Sequence, residues 1–199
     1  MGRRKLEAAL SLYRERHPDA PEPAVRWLPF QLNPDLPATG IPRSEYVARK
    51  FGARGKGNYE RVAMVGRTVG IDFAFDRIQV QPNTVKAHRL LIYADRAGKQ
   101  DAVADELFKV YFLEGGNLTD NATLARAAGR AGLDEQAVAA FLETDEDKAV
   151  VEQADVEARG AGIGGVPFFI FNRKVGVSGA QDPDVLLDAM VQASQGSDA

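Results

Sequence analysis

The chain opens with apolar residues at helical spacing. Positions i, i+3, i+4 and i+7 of one face predict an amphipathic helix that reaches about His17: Leu6, Ala9, Leu10 and Tyr13. No Ser, Thr, Asp or Asn precedes this helix as a cap, and its first turn carries the cations Arg3, Arg4 and Lys5. Since the positive end of a helix dipole favours anions, this is an unusual start for a domain. Two interpretations stay open, namely an exposed, frayed end or the absence of a segment that belongs before the helix.

The next part of the chain changes from a strand pattern to a helical pattern. The β-forming run Val25–Leu32 predicts a strand, and Pro29 within it indicates an edge position or a strand end. From about Pro42 to Gly160 the apolar spacing is helical, interrupted by a glycine-rich loop at Gly52–Gly57. The predicted helices span residues 42–51, 59–69, 83–96, 101–114, 120–130, 134–142 and 144–159.

The C-terminal part returns to a β pattern. Pro167–Phe171 predicts a buried strand, Asn172–Lys174 a tight turn and Val175–Val177 a second strand, which together form a hairpin. Asp182 followed by Pro183 predicts the N-cap and first residue of a last helix. The predicted order is therefore helix, strand, helical block, hairpin, helix.

Composition and charge exclude several classes of function. The net charge of −3 and the pI near 5.5 do not indicate a nucleic-acid partner, and no apolar run is long enough to cross a membrane, so we expect a cytoplasmic protein. The chain has no cysteine and two histidines, which excludes disulfides and thiolate zinc sites and predicts no metal site. Gly160–Gly165 matches G-x-G-x-x-G, but a helix precedes it and a strand follows, the reverse of a dinucleotide-binding site.

The junction of Val166 and Pro167 carries the most specific local signal. Proline at the start of a strand donates no hydrogen bond to the ladder. An X-Pro bond in this place is a candidate for the cis form, which would leave the backbone of Val166 exposed at a loop tip. The spacing alone leaves cis and trans both open.

Five separated motifs resemble one family, the DsbA-like thioredoxin-fold proteins, and within it the FrnE-like branch related to 2-hydroxychromene-2-carboxylate isomerases and kappa-class glutathione transferases. The motifs occur in the family's order: Pro29–Pro34, Lys50–Gly52, Pro82–Thr84 with Ala87–Arg89, Tyr111–Phe112 with Gly115, and Val166–Phe171 followed by Val177–Gln181. The resemblance covers nearly the whole chain.

The resemblance implies an α/β fold, a thioredoxin-like fold with a large all-helical insertion domain and with its N-terminal strand missing. The expected thioredoxin-like domain comprises residues 1–40 and 160–199, and the inserted helical domain residues 41–159. In this family a strand and Cys-Pro-x-Cys precede a sequence like Gly2–Glu7. We therefore expect that roughly 15–25 residues, a strand with its turn and redox motif, belong before Gly2, and that without them the chain is marginally stable or depends on a partner.

The resemblance also implies where substrate binds. Val166 and Pro167 correspond to the cis-proline loop that faces the reactive sulfur and binds a thiol or glutathione, and Ser178, Gly179, Ala180 and Gln181 to the loop beside it. Asn83 and His88 correspond to the part of the helical domain that overhangs this groove, although a structural His88 is an equal alternative. No catalytic residue is assigned, because thiol–disulfide exchange requires a thiolate.

Three functions follow from the resemblance. The first is protein dithiol–disulfide oxidoreduction or isomerisation, without a redox cysteine in these 199 residues. The second is a glutathione-dependent isomerase or transferase of the kappa type, and the third a catalytically inactive module that binds peptides or thiols. The expected partners are a thiol- or disulfide-bearing protein or a glutathione-like small molecule, with no cofactor except glutathione in the second case. The sequence leaves the oligomeric state open, and a homodimer is one expected assembly.

Overall fold

The computed structural model describes residues 1–52 and 55–195. In chain order its helices are α1 Gly2–Arg16, α2 Arg43–Phe51, α3 Gly55–Arg67, α4 Val85–Arg96, α5 Gln100–Lys109, α6 Asn121–Arg130, α7 Glu135–Leu142, α8 Lys148–Gly160 and α9 Pro183–Ser194. Its strands are β1 Ile41–Pro42, β2 Val80–Gln81, β3 Phe168–Phe171 and β4 Val175–Ser178.

The chain divides into two compact units. The first combines Met1–Ala24 with Ala161–Ala199, and the second is Val25–Gly160. The segment 25–40, which the sequence analysis assigns to the thioredoxin-like domain, thus lies in the second compact unit. Because compactness is a different criterion from family resemblance, the domain division stays a prediction.

The first unit packs the antiparallel hairpin β3–β4 against α1 and α9. Its core comprises Ala9, Leu10, Tyr13, Leu186, Leu187 and Met190. Phe169 and Phe171 pack against this core, whereas Ile170 between them is 48% exposed, as expected from the two-residue period of a strand. The prediction that β3 is buried is therefore wrong for one face, because the core of α1 and α9 packs against the side of Phe169 and Phe171 and leaves Ile170 exposed.

The second unit is built around α4–α8. Apolar faces of α4–α7 enclose a core that includes Leu90, Val103, Leu107, Leu124, Val138, Phe141 and Leu142. Small buried alanines of α6 (Ala125, Ala127 and Ala128) allow its neighbours to approach closely. The short strands β1 and β2 pair with each other. A π-helical turn, Val110–Glu114, continues α5, so the predicted helix 101–114 consists of two parts.

Three local predictions are wrong. Val25–Leu32 forms no strand, because side chains rather than a neighbouring strand bind its backbone: Gln100 binds Trp27, and Asp155 binds Gln31. Helix α8 begins at Lys148 and not at Thr144, since Asp147 adopts a positive φ of 61°. The predicted loop 52–57 ends earlier, because Gly55 already belongs to α3, and residues 53 and 54 lie outside the described residues.

Candidate functional site

The first candidate site is the loop at Val166 and Pro167, which leads into β3. The peptide bond between the two residues is cis, the form that the family resemblance implies. Val166 is 48% exposed, and neither its N–H nor its C=O makes a hydrogen bond within residues 1–52 and 55–195. The backbone of Val166 therefore has one donor and one acceptor available beside an exposed apolar side chain.

The first turn of α1 holds Pro167 in place. Gly2 is buried, and a Cβ built on it would lie 2.7 Å from Cγ and 2.8 Å from Cβ of Pro167. Real Cβ atoms do not approach a neighbour so closely, so a side chain at position 2 would displace the proline ring or the helix. The N-terminus of α1 and the proline loop thus form one packed structure.

The second loop of the site, Ser178–Gln181, is fixed to the first by a backbone hydrogen bond. Gly179 N donates to Pro167 O at 2.9 Å, one residue beyond the pairing of Phe168 with Ser178. Gln181 turns back on its own loop, because its N donates to Gly179 O and its Nε2 to Ser178 O, each at 2.9 Å. Ser178 and Gln181 are exposed, and Ala180 is half-buried.

Ion pairs surround the start of α1. Arg3 and Arg4 bind Glu7 at 2.9 and 3.0 Å. Partial burial raises the pKa of Glu7, but the hydrogen bonds from the two guanidinium groups outweigh it and hold the pKa below its usual range. Lys5 binds Asp182 at 2.8 Å, which lowers the pKa of Asp182. Asp182 therefore occupies the predicted N-cap position of α9 but uses its side chain for this ion pair rather than for a cap bond.

The structure places Asn83 and His88 in the second unit. Asn83 Oδ1 accepts from Val85 N at 3.0 Å, and its Nδ2 donates to Leu36 O at 2.8 Å, so both ends of the amide are engaged. His88 Nε2 lies 3.1 Å from Phe30 O, and its Nδ1 is buried without a partner in the described residues. Burial lowers the pKa of His88 to about 4, against the opposing effects of Phe30 O and Asp155, so the ring is neutral at pH 7.

A cavity of about 430 Å³ lies beside Asn83 in the same unit. The sequence analysis missed three buried polar residues in its wall, Gln31, Arg89 and Asp155, which are only 3–5% exposed. Their sequence signal is weak, because Gln31 stands in a strand pattern and Arg89 and Asp155 stand in ordinary helix patterns. Only the pairing of segments far apart in the chain brings the three together.

The proline loop and the cavity differ in the chemistry that their side chains allow. The residues of the proline loop and its neighbour, Val166–Pro167 and Ser178–Gln181, include no ionisable side chain, so this site suits binding rather than proton transfer. In the part of the chain that the structure describes, no cluster of three or more His, Cys, Asp or Glu residues could hold a metal ion. None of the described helices is long and apolar enough to span a membrane.

Comparison with known proteins agrees with this geometry. The sequence model of the DSBA-like thioredoxin domain matches residues 1–191. The crystal structure of a probable DsbA oxidoreductase from Streptomyces coelicolor is similar to this chain with a TM-score of 0.84 at 27% sequence identity, over all of this chain and 85% of that one. A comparison with curated proteins gives no significant match. The predicted family resemblance and the thioredoxin-like α/β fold class, with its largely helical content, are confirmed.

Proposed function

Since this chain belongs to the DSBA-like thioredoxin domain family, we propose that it binds a thiol- or disulfide-bearing polypeptide at the Val166–Pro167 loop, as part of the family's dithiol–disulfide chemistry. The observation that carries the proposal is the backbone of the exposed Val166, whose N–H and C=O have no hydrogen-bond partner among residues 1–52 and 55–195, beside a Pro167 that packs on Gly2. A peptide in extended conformation pairs with such a free backbone edge through main-chain hydrogen bonds.

The side chains around Val166 support an extended apolar substrate. Val166 itself is 48% exposed, and Ile170, on the solvent-exposed face of β3, is also 48% exposed. Gln181 and Ser178 are exposed at the neighbouring loop and offer polar groups to the rim. Main-chain bonds would then supply affinity, and alternate side chains of the peptide would supply specificity.

In this proposal the 199 residues bind the polypeptide substrate but do not supply the nucleophile. Thiol–disulfide exchange proceeds by attack of a thiolate on a disulfide sulfur, and the chain has no cysteine. Any exchange at this site would therefore use sulfur atoms from outside these 199 residues. The proposal also includes membership of the FrnE-like branch and a cytoplasmic location.

The test measures binding of an extended peptide to the 199-residue chain by fluorescence anisotropy. Three labelled peptides are compared: an apolar peptide with one cysteine, its serine twin, and the cysteine peptide with N-methylated alternate amides. We expect the first to bind and the N-methylated form to bind at least about tenfold more weakly, because it loses several main-chain hydrogen bonds. Equal binding of the N-methylated peptide would overturn the proposed mode of recognition.

A pair of matched variants locates the site. Val166→Asp introduces a charge at the proposed edge, whereas Val185→Asp does so at a similarly exposed position of α9, since the two valines are 48% and 46% exposed. Only Val166→Asp should weaken peptide binding. If both variants bind as the unmodified chain does, the peptide is recognised elsewhere.

The competing functions are separated by two further measurements. Displacement of the peptide by reduced glutathione would favour a glutathione-dependent isomerase or transferase. The intact mass of the protein from its native source tests for a redox motif: a mass larger by a strand and a Cys-x-x-Cys segment would favour oxidoreduction or isomerisation. A mass equal to that of these 199 residues, with peptide binding, would favour the inactive binding module.

A further inference from the structure

We propose a second binding site, for a small zwitterion such as an amino acid or a short peptide, in the cavity of about 430 Å³ in the second unit. The cavity lies between the loop that contains Gln31, the first turns of α4 and the start of α8. Its volume is within the range of roughly 300–1,000 Å³ that is typical of small-molecule sites.

The strongest observation is an unneutralised cation in the cavity wall. Arg89 is only 3% exposed, yet its guanidinium binds neutral oxygens alone: Nε donates to Glu146 O, and Nη2 to Phe141 O at 3.1 Å and to Thr144 Oγ1 at 3.4 Å. No carboxylate forms an ion pair with it in the described residues. Because buried charges are normally paired, Arg89 is the expected partner of an anionic ligand group.

The guanidinium of Arg89 is already oriented for such a ligand. Its hydrogen bonds fix Nε and Nη2, and its plane lies over the Phe141 ring at 4.9 Å, while Nη1 makes no hydrogen bond among the described residues. Gln31 lines the same cavity at 4% exposure, but its Oε1, which has no partner in the described residues, is closed to solvent and offers no contact point for a ligand. A polar ligand in the cavity would supply Nη1 of Arg89 with an acceptor that the described residues do not.

Besides Arg89, five charged residues line the cavity: the cations Lys86 and Lys148 and the carboxylates Asp145, Glu152 and Asp155. Lys148, Asp145 and Glu152 are exposed cavity residues whose side chains form no ion pair or hydrogen bond in the part of the chain that the structure describes. These charges match a ligand that carries both signs: a zwitterion can place its carboxylate at Arg89 and its ammonium group at Glu152. Apolar wall residues, Pro34, Val85 and Val156, would accept small aliphatic side chains.

The probe is the thiol-free dipeptide L-alanyl-L-alanine, titrated into the full 199-residue chain and followed by isothermal calorimetry. Its C-terminal amide and its N-acetylated form are titrated in parallel. We expect the amide to bind more than about tenfold more weakly, because Arg89 then loses a charged partner. The N-acetylated form should bind roughly two- to fivefold more weakly, because Glu152 is exposed.

Variants assign each end of the dipeptide to a residue. For each variant the dissociation constants of two ligands are compared as a ratio, which does not depend on the variant's stability. Arg89→Lys should reduce the preference for the free carboxylate over the amide. Glu152→Gln should abolish the preference for the free amine over the acetylated form, whereas Glu157→Gln, at an exposed position on the same helix, should preserve it. Absence of binding up to the solubility limit, or equal binding of all three ligands, would overturn the proposal.

Discussion

Gly2 and Pro167 lie so close together that a Cβ on the glycine would be 2.7 Å from Cγ of the proline. This contact joins the start of α1 to the loop that we propose as the peptide-binding edge. Alanine favours a helix more than glycine does, so Gly2→Ala would ordinarily stabilise α1. Here the added methyl group overpacks the contact, and we expect the free energy of unfolding to fall by about 1–3 kcal/mol in guanidinium titrations.

Gly164→Ala is the matched control for this prediction. Gly164 stands three residues before Pro167, has no positive φ, and a Cβ built on it meets no atom within 4 Å. Its substitution should change the free energy of unfolding by less than about 1 kcal/mol, with a small gain the expected direction. Equal effects of the two substitutions would show that the Gly2–Pro167 contact contributes nothing specific.

Gln100 determines the conformation of the segment around the only tryptophan, Trp27. Its Oε1 accepts from Trp27 N at 2.8 Å, and its Nε2 donates to Trp27 O at 3.0 Å, as a neighbouring strand would. Gln100→Ala should therefore release the segment, with a red-shifted tryptophan emission and greater quenching by acrylamide. The free energy of unfolding should also fall by about 1–2 kcal/mol, because partly buried backbone groups of Trp27 lose their partners.

Gln153→Ala serves as the comparison, since Gln153 is exposed and binds only Glu157 on its own helix, at 2.9 Å. It should leave the emission of Trp27 unchanged. An unchanged emission in Gln100→Ala as well would mean that other contacts hold the tryptophan, such as its ring contact with Phe108 at 5.7 Å.

This segment shows why part of the fold was not predictable from sequence. Val25–Leu32 has the composition of a strand, and the backbone groups of Trp27 and Gln31 do have partners, but these partners are side chains of α5 and α8 about 70 to 130 residues away. Local propensity carries no information about such partners. The helices, in contrast, follow from apolar spacing and from glycines at their ends, which are local signals.

The proline loop and the cavity likewise differ in how far the sequence predicts them. The predicted hairpin joins the strand that follows Pro167 to the strand that precedes the second loop, and the structure pairs Phe168 with Ser178, which places the two loops of the proline site side by side. The lack of an anionic partner for Arg89 in the described residues could not be predicted, because it depends on which oxygens of residues 141–146 reach a helix more than 50 residues earlier. Sequence patterns therefore locate the proline loop and miss the cavity.

Asp155 is the buried acceptor that holds the loop containing Gln31 on α8. Its side chain is 7% exposed, Gln31 N donates to its Oδ1 at 2.7 Å, and Arg159 Nε donates to its Oδ2 at 2.9 Å. Asp155→Ala leaves both donors without this acceptor, so the free energy of unfolding should fall by about 2–3 kcal/mol. The amide of Gln31 should exchange its hydrogen much faster, whereas Glu157→Ala should leave that rate unchanged. Unaltered exchange in Asp155→Ala would exclude this role.

His88 should make stability depend on pH between about 4 and 6.5. Burial lowers the pKa of the folded protein's His88 to about 4, whereas an unfolded histidine has a pKa of about 6.5. Below about pH 6.5 the unfolded chain therefore takes up a proton that the folded chain does not bind. Stability is fully present above this pH and falls as the pH decreases toward 4, by about 3 kcal/mol in total for this residue.

His88→Gln isolates this effect from the titration of carboxylates in the same pH range. Glutamine has an amide donor for Phe30 O, which His88 Nε2 contacts at 3.1 Å, but it takes up no proton. Urea titrations from pH 7.5 to 4 should show a shallower loss of stability in His88→Gln than in the unmodified chain, and His17→Gln should retain the full loss. Parallel pH profiles of His88→Gln and the unmodified chain would mean that His88 binds a proton equally in the folded and the unfolded state. The inference that the ring is neutral in the folded protein would then be wrong.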